Sequence, residues 1–276
     1  MMIAGGLLLG TIGVFVKEAG QAASLTVFFR CLFGCLALGA WALITGKHRE
    51  LALSLRNLVM VSITGALMVV TWWLYFESLK SISVGLATLI FHVQPFWVVL
   101  LGAFFFKERI ASRTLITLVL ALCGLMLATG LSRQSLSDMD GMMIGVAYCL
   151  LGSVLYALTT LFARSNSGVS PFALAWWQCA IGTLLTLWSP ITLGLPEWGA
   201  AWGWLVGIGV IHNGLAFTLL YTAISQLPTH RIAILQFVYP GAAIIIDWWV
   251  YDHTLSTVQW AGVACIGFAL WRLRKG

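Results

Sequence analysis

The apolar stretches of this chain hold few polar side chains, and each one present needs a chemical reason. His92 and His212 lie near the centres of long apolar runs, the second followed directly by Asn213. Gln94 and Pro95 share the stretch FHVQPFWVV (91–99) with His92, and a later run carries Gln236, Tyr239 and Pro240. Arg30 and Gln178 stand at matching places in two other runs. A neutral imidazole hydrogen-bonds an amino or carboxyl group, a carboxamide both donates and accepts, and a guanidinium holds a carboxylate. Aromatic residues recur at helical spacing as Trp72, Tyr75 and Phe76, as Trp176 and Trp177, and as Phe217 and Tyr221. Their faces suit flat or bulky apolar cargo and offer cation–π contact to an ammonium. This is chemistry for recognising a small amphipathic molecule. The competing uses are plainer: a structural histidine, aromatic packing, and an Arg30 that snorkels to the interface or pairs with Asp247 at similar depth.

Covalent chemistry finds no support. None of HExxH, GxSxG or Walker A occurs. The six cysteines, Cys31, Cys35, Cys123, Cys149, Cys179 and Cys265, all lie in apolar runs without a CxxC pair and read as packing residues. Neither a cofactor nor a metal is implied. None of the nine acidic residues falls at the middle of an apolar run, Asp247 being the deepest. A proton-coupled exporter of cations needs a buried carboxylate that holds proton and substrate in turn. Neutral or zwitterionic cargo is therefore expected.

The elements that must position these groups follow from composition. Of 276 residues, 61% are hydrophobic and 9% charged, against about 25% charged in a soluble domain. Lipid must be the solvent, and each crossing takes roughly 20 apolar residues because every amide must bond within its own segment. Charged and turn-rich points divide the chain into ten runs: 2–17, 24–45, 56–78, 82–106, 112–130, 141–163, 171–193, 199–225, 229–250 and 256–273. A signal peptide is the alternative for the first run, but no basic stretch precedes it. With a cytoplasmic N-terminus, the inner connections and tail carry Lys47, Arg49, Arg56, Lys107, Arg109, Arg113, Arg164, Arg231, Arg272, Arg274 and Lys275. The outer connections carry only Lys17, Lys80 and Arg133. Eleven against three places both termini in the cytoplasm, and assigns the net charge of +6 to membrane topology rather than to nucleic acid.

The second half echoes the first at an offset of 145 to 148 residues. TIGVFVK (11–17) faces ALTTLFAR (157–164), RCLFG (30–34) faces QCAIG (178–182), Tyr75 faces Tyr221, and HVQP (92–95) faces FVYP (237–240). Five helices per copy is an odd number, so the copies must run in opposite directions through the membrane. The expected fold is an all-α membrane protein of ten transmembrane helices in two inverted five-helix repeats, 1–135 and 136–276. Inverted repeats are a hallmark of secondary transporters, with the substrate held near the midplane.

Two five-helix units, each with a proline in its fourth helix, followed in the first by FFFKERIAS (104–112), resemble the EamA-type branch of the drug/metabolite transporter superfamily. In that family a proline precedes an acidic residue at the cytoplasmic end of the fourth helix, as Pro95 precedes Glu108; the second copy departs, placing His253 there with Asp252 one residue short. Length and aromatic content are similar to the bacterial aromatic amino-acid exporters of that branch. The resemblance implies a central cavity built from helices 1–4 and 6–9, outward transport of metabolites, and residence in the inner membrane as a multi-pass carrier.

These expectations converge on a carrier of small amphipathic metabolites, chiefly amino acids with aromatic or other apolar side chains, working by alternating access. An exporter of lipophilic cations is the alternative within transport, and a membrane-embedded enzyme or sensor the alternative outside it. Pro95 cannot donate to the carbonyl of Phe91, nor Pro240 to that of Gln236, so both are expected to be hinges with polar groups beside them. Glycines 5, 6, 10 and 13 in the first helix and 203, 207 and 209 in the eighth are expected to permit close packing. A homodimer through the last helix, GVACIG (262–267), is a further expectation.

Overall fold

The computed structural model describes residues 1–130, 139–165, 168–252 and 254–274; Arg133, Asp138, His253 and Lys275 lie outside the described residues. All regular structure among the described residues is helical. In order, the helices are α1 (Met2–Gly10), α2 (Ile12–Ala19), α3 (Ala23–Ile44), α4 (Leu55–Ser78), α5 (Val84–Phe91), α6 (Gln94–Phe106), α7 (Ser112–Ala128) and α8 (Met139–Arg164). They continue as α9 (Pro171–Thr186), α10 (Trp188–Leu193), α11 (Ala200–Gly207), α12 (Phe217–Ile224), α13 (Thr229–Leu235), α14 (Val238–Tyr251) and α15 (Thr257–Arg274). A 3₁₀ turn covers Lys47–Leu51, and a π segment, Ile208–Ala216, joins α11 to α12.

Among the described residues eight stretches are long and apolar enough to cross a membrane: Met2–Ala19, Ala23–Ile44, Leu55–Ser78, Gly85–Phe106, Met142–Arg164, Pro171–Leu193, Ala200–Ile224 and Thr229–Tyr251. α7 is a shorter apolar helix. The outward faces carry large apolar side chains, among them Ile44, Phe104, Met143 and Trp249. The chain is a multi-pass membrane protein, and its helix ends fall within a few residues of the boundaries set by charges and turns.

Several of these stretches are interrupted where the backbone ladder loses a partner. At Thr11 the hydroxyl and the amide both donate to the carbonyl of Leu8, at 2.8 and 3.1 Å, which closes α1 early. At Leu187 the amide turns to Leu184 O, three residues ahead of Pro190. Ahead of Pro95 the helix opens at His92 and Val93, and ahead of Pro240 it opens at Gln236 and Phe237. In both places a tighter i→i+3 bond takes over, Val93 N to Ile90 O at 3.1 Å and Phe237 N to Ile234 O at 3.2 Å. The two interrupted helices also end alike. Lys107 after α6 and Asp252 after α14 both adopt the left-handed region, φ 53° and 52°, and each stands at the same spacing past its proline.

Two compact units result, and the division falls within α4 and α8. Unit 1 comprises Met1–Val70 and Phe162–Gln226; unit 2 comprises Thr71–Leu161 and Leu227–Gly276. Each draws on both of the segments read as repeats.

In unit 1, α3 packs on α9 and on the π segment. The contact with α9 is reciprocal: a Cβ on Gly182 would lie 2.6 Å from Cys31 Sγ, and one on Gly34 3.0 Å from Cys179 Sγ. Gly209 approaches Phe33 and Gly207 approaches Phe15 so closely that an added Cβ would stand 2.4 and 2.5 Å away, whereas Gly203 and Gly13 face open space. Phe15, Phe29, Trp202 and Trp204 close the aromatic end around buried Ile208.

In unit 2, α15 packs along α7 with backbone nearly touching backbone: a Cβ on Gly262 would meet Ala128 N at 2.4 Å and Gly124 O at 2.5 Å. Gly262, named above in a dimer contact, is thus used within the chain, while Gly267 has open space beside it. α6 packs along α13 in the same intimate way, Gly102 leaving room for the side chain of Thr229.

Candidate functional site

The proline interruptions in unit 2 bring polar groups together. Pro95 has no amide hydrogen, so the turn before it cannot close as an α-helix, and the groups at 92–94 are free to turn inward. Gln94, the buried first residue of α6, donates from Nε2 to Oε1 of Gln236 at 2.6 Å. Gln236 belongs to the other interruption, so the carboxamides tie the two breaks to each other. His92 is buried beside them, its ring 5.8 Å from that of Tyr239 and stacked on it, and 6.2 Å from Phe237.

The proton of His92 can be placed. Nδ1 lies 2.7 Å from the carbonyl oxygen of Thr88, which can only accept, so Nδ1 carries the hydrogen. Nε2 of the neutral ring is then an acceptor. Thr88 also reaches Tyr75, its Oγ1 3.1 Å from the phenol oxygen, and Tyr75 packs edge-on against Phe91 at 5.4 Å. Trp72 lies one turn before Tyr75 on α4 and is half-buried. Trp97 donates to Ser153 Oγ at 3.1 Å, joining α6 to α8.

The remaining candidates fall in unit 1. Arg30 is buried, and its Nε donates to Oδ1 of Asn213 at 2.9 Å. The amide of Asn213 points between Cys31 Sγ and Cys179 Sγ, at 3.9 and 3.8 Å. Asn213 and His212 both occupy the π segment, whose extra residue per turn directs adjacent side chains inward in a way a regular helix does not. His212 Nε2 lies 2.9 Å from Thr11 Oγ1 at the interruption of the first stretch. Tyr221 donates to Oε1 of Gln178, and Gln178 Nε2 is buried with no hydrogen-bond partner among the described residues. Trp176 and Trp177 have backbone work: their indoles donate to Cys35 O at 3.1 Å and to Leu51 O at 3.0 Å. The geometry thus gathers His92, Gln94, Gln236, Tyr239 and Tyr75 around one pair of breaks, and Arg30, Asn213, Gln178 and Tyr221 around the α3–α9 contact.

Three partners escaped the sequence: Thr11, Thr88 and Thr229. The available signal was a hydroxyl inside or at the end of an apolar run, near a polar residue it must satisfy. Thr229 matters because Oε2 of Glu108 accepts from its amide, at 3.3 Å, and from its hydroxyl. Glu108 therefore sits on the first turn of α13, where four amides lack helical partners and a negative charge is favoured. Among the described residues no Asp or Glu side chain is buried, and no cluster of His, Cys, Asp and Glu could hold a metal.

The model of the EamA-like transporter family matches residues 1–130 and again residues 143–273. The uncharacterized transporter YxxF of Bacillus subtilis is 27% identical, over 99% of this chain and 89% of that protein. The Pseudopaline exporter CntI of Pseudomonas aeruginosa is also 27% identical, over 96% of this chain and 92% of that protein. A crystal structure only 18% identical shares the fold with a TM-score of 0.85, over 98% of this chain and 93% of its own.

Proposed function

Because the chain belongs to the EamA-like transporter family, we propose that it is a secondary carrier exporting amino acids with aromatic or other apolar, neutral side chains, and similar small metabolites, across the inner membrane. In this reading ten helices form two inverted five-helix repeats with both termini cytoplasmic, and the cargo moves by alternating access. The observation that carries the substrate class is the group at the paired breaks: His92 with Nε2 as an acceptor, Gln94 bonded to Gln236, and the ring of Tyr239 beside them. An acceptor nitrogen suits an ammonium hydrogen, the carboxamides suit both ends of a zwitterion, and the rings suit an apolar side chain. Unit 1 by itself also holds a buried guanidinium, Arg30, and a buried carboxamide, Gln178. The exposed or half-buried state of the described carboxylates weighs against lipophilic cations as cargo. The name of the Pseudomonas aeruginosa relative supports the outward direction.

The test is flux from liposomes that contain the purified protein and are loaded with radiolabelled phenylalanine or threonine. Efflux above protein-free liposomes supports the reading, and absence of flux for every amino acid sinks the substrate class. Running the assay with and without a pH gradient reports the coupling, uncoupled flux being expected from a site without a buried carboxylate.

A further inference from the structure

Glu108 and Thr229 close one end of the two interrupted helices. Glu108 follows Lys107, whose left-handed backbone turns the chain sharply after α6. Its carboxylate then lands on the amide and hydroxyl of Thr229, the first residue of α13. Gly102, one turn back along α6, allows Thr229 to lie where any larger residue would collide: an added Cβ would stand 2.5 Å from its methyl. Half-helices α6 and α13 are thus joined at their breaks by Gln94 and Gln236, and at their far ends by Glu108 and Thr229.

The repeat offset maps α6 onto α14 and α13 onto α5. No comparable packing joins α14 to α5 among the described residues. The difference is written in the side chains, since the offset maps Thr229 onto Val84, which has no hydroxyl, and Glu108 onto His253, which has no carboxylate. The fastening that the described residues show is therefore the Glu108–Thr229 contact. The fastened end carries Lys107, Arg109 and Arg231, which makes it cytoplasmic by the distribution of basic residues.

We propose that the Glu108–Thr229 contact is the cytoplasmic latch of the carrier, shut in this structure and opened once per transport cycle. The assignment rests on the carrier reading above. A carboxylate on a helix N-terminus is a strong yet water-exchangeable bond, half-buried at the membrane edge, and so can break and re-form without the penalty of exposing a charge in lipid. A contact serving only to cap α13 would stay shut throughout.

The deciding variant is the full-length Glu108→Cys/Thr229→Cys protein, oxidised to a disulfide and then reduced with dithiothreitol, in nanodiscs and in liposomes. Hydrogen–deuterium exchange over residues 229–237 needs no substrate. A latch predicts that exchange slows by roughly tenfold on oxidation and recovers on reduction, since the lock removes an opening that wild type makes. Equal exchange in both forms overturns the proposal. In liposomes a latch predicts that amino-acid efflux stops on oxidation and returns on reduction; unchanged efflux in the locked form also overturns it. If wild type carries no amino acid at all, the substrate reading falls and the exchange measurement still decides the latch. Should the paired cysteines block insertion, Glu108→Gln answers the same question. An opening latch gives two exchange populations in residues 229–237 of wild type, the open one enlarged several-fold in the variant. A single population in both overturns it.

Discussion

Gln94 and Gln236 meet through one hydrogen bond of 2.6 Å, and each stands at the interruption of its own helix. Two breaks far apart in sequence are therefore a single structural object. A neutral hydrogen bond of this kind contributes about 1 kcal/mol net. Gln94→Ala and Gln236→Ala should each lower the melting temperature by a few degrees and slow efflux several-fold. The double variant should be no worse than the worse single one, because both remove the same bond. Losses that add in thermal-shift and flux measurements would show that the two carboxamides act separately.

Pro95→Ala and Pro240→Ala restore an amide hydrogen to each break and remove the ring that pushes the preceding turn open. Closing i→i+4 bonds to the carbonyls of Phe91 and Gln236 should straighten both helices. The expected outcome is slower efflux from a protein that inserts normally and keeps its helical circular dichroism. Wild-type rates in both variants would mark the breaks as static bends.

Asn213→Ala takes the acceptor from a buried guanidinium donor, a loss of about 1–3 kcal/mol, and should lower the melting temperature more than either glutamine variant. Arg30→Lys keeps the charge but has no Nε–H to offer Asn213 and no fork for a carboxylate. It should lose most of the thermal stabilisation that a bound amino acid confers on wild type. Equal ligand-induced shifts in the two proteins would remove Arg30 from substrate recognition.

Gly262→Ala places a methyl 2.4 Å from Ala128 N and 2.5 Å from Gly124 O, backbone atoms that cannot step aside. Overpacking of this kind costs about 1–3 kcal/mol, so a clearly lower melting temperature is expected. Gly267→Ala, five residues on and facing open space, should be neutral. The pair separates a glycine required by helix contact from one that is not, and equal behaviour would contradict the α7–α15 packing.

What could be read in the sequence was whatever depends on local chemistry. Helix ends were legible because charge is intolerable in lipid, so Lys80, Arg113 and Arg164 mark boundaries without help from neighbours. The breaks at Pro95 and Pro240 were legible because a missing amide hydrogen is a property of one residue. Partners were not. Nothing near Trp176 or Trp177 says that their indoles belong to the carbonyls of Cys35 and Leu51, because those bonds are fixed by the crossing of distant helices. The π segment around His212 and Asn213 was hidden as well: Gly209 lies against Phe33 of a distant helix there, and no local spacing announces that contact. Glu108 was visible as a family-like acidic residue, but its use became clear only when the chain placed it on Thr229.

The reciprocal fit of Cys31 against Gly182 and Cys179 against Gly34 constrains how this chain can change over generations. Each half carries both a knob and a socket, and each knob fills the socket of the other half. Enlarging position 34 would press on Cys179 Sγ and also on Asn213 Cβ and the Gly209 carbonyl, whereas enlarging position 182 would press first on Cys31 Sγ. The two halves of the gene are obliged to drift together at these codons.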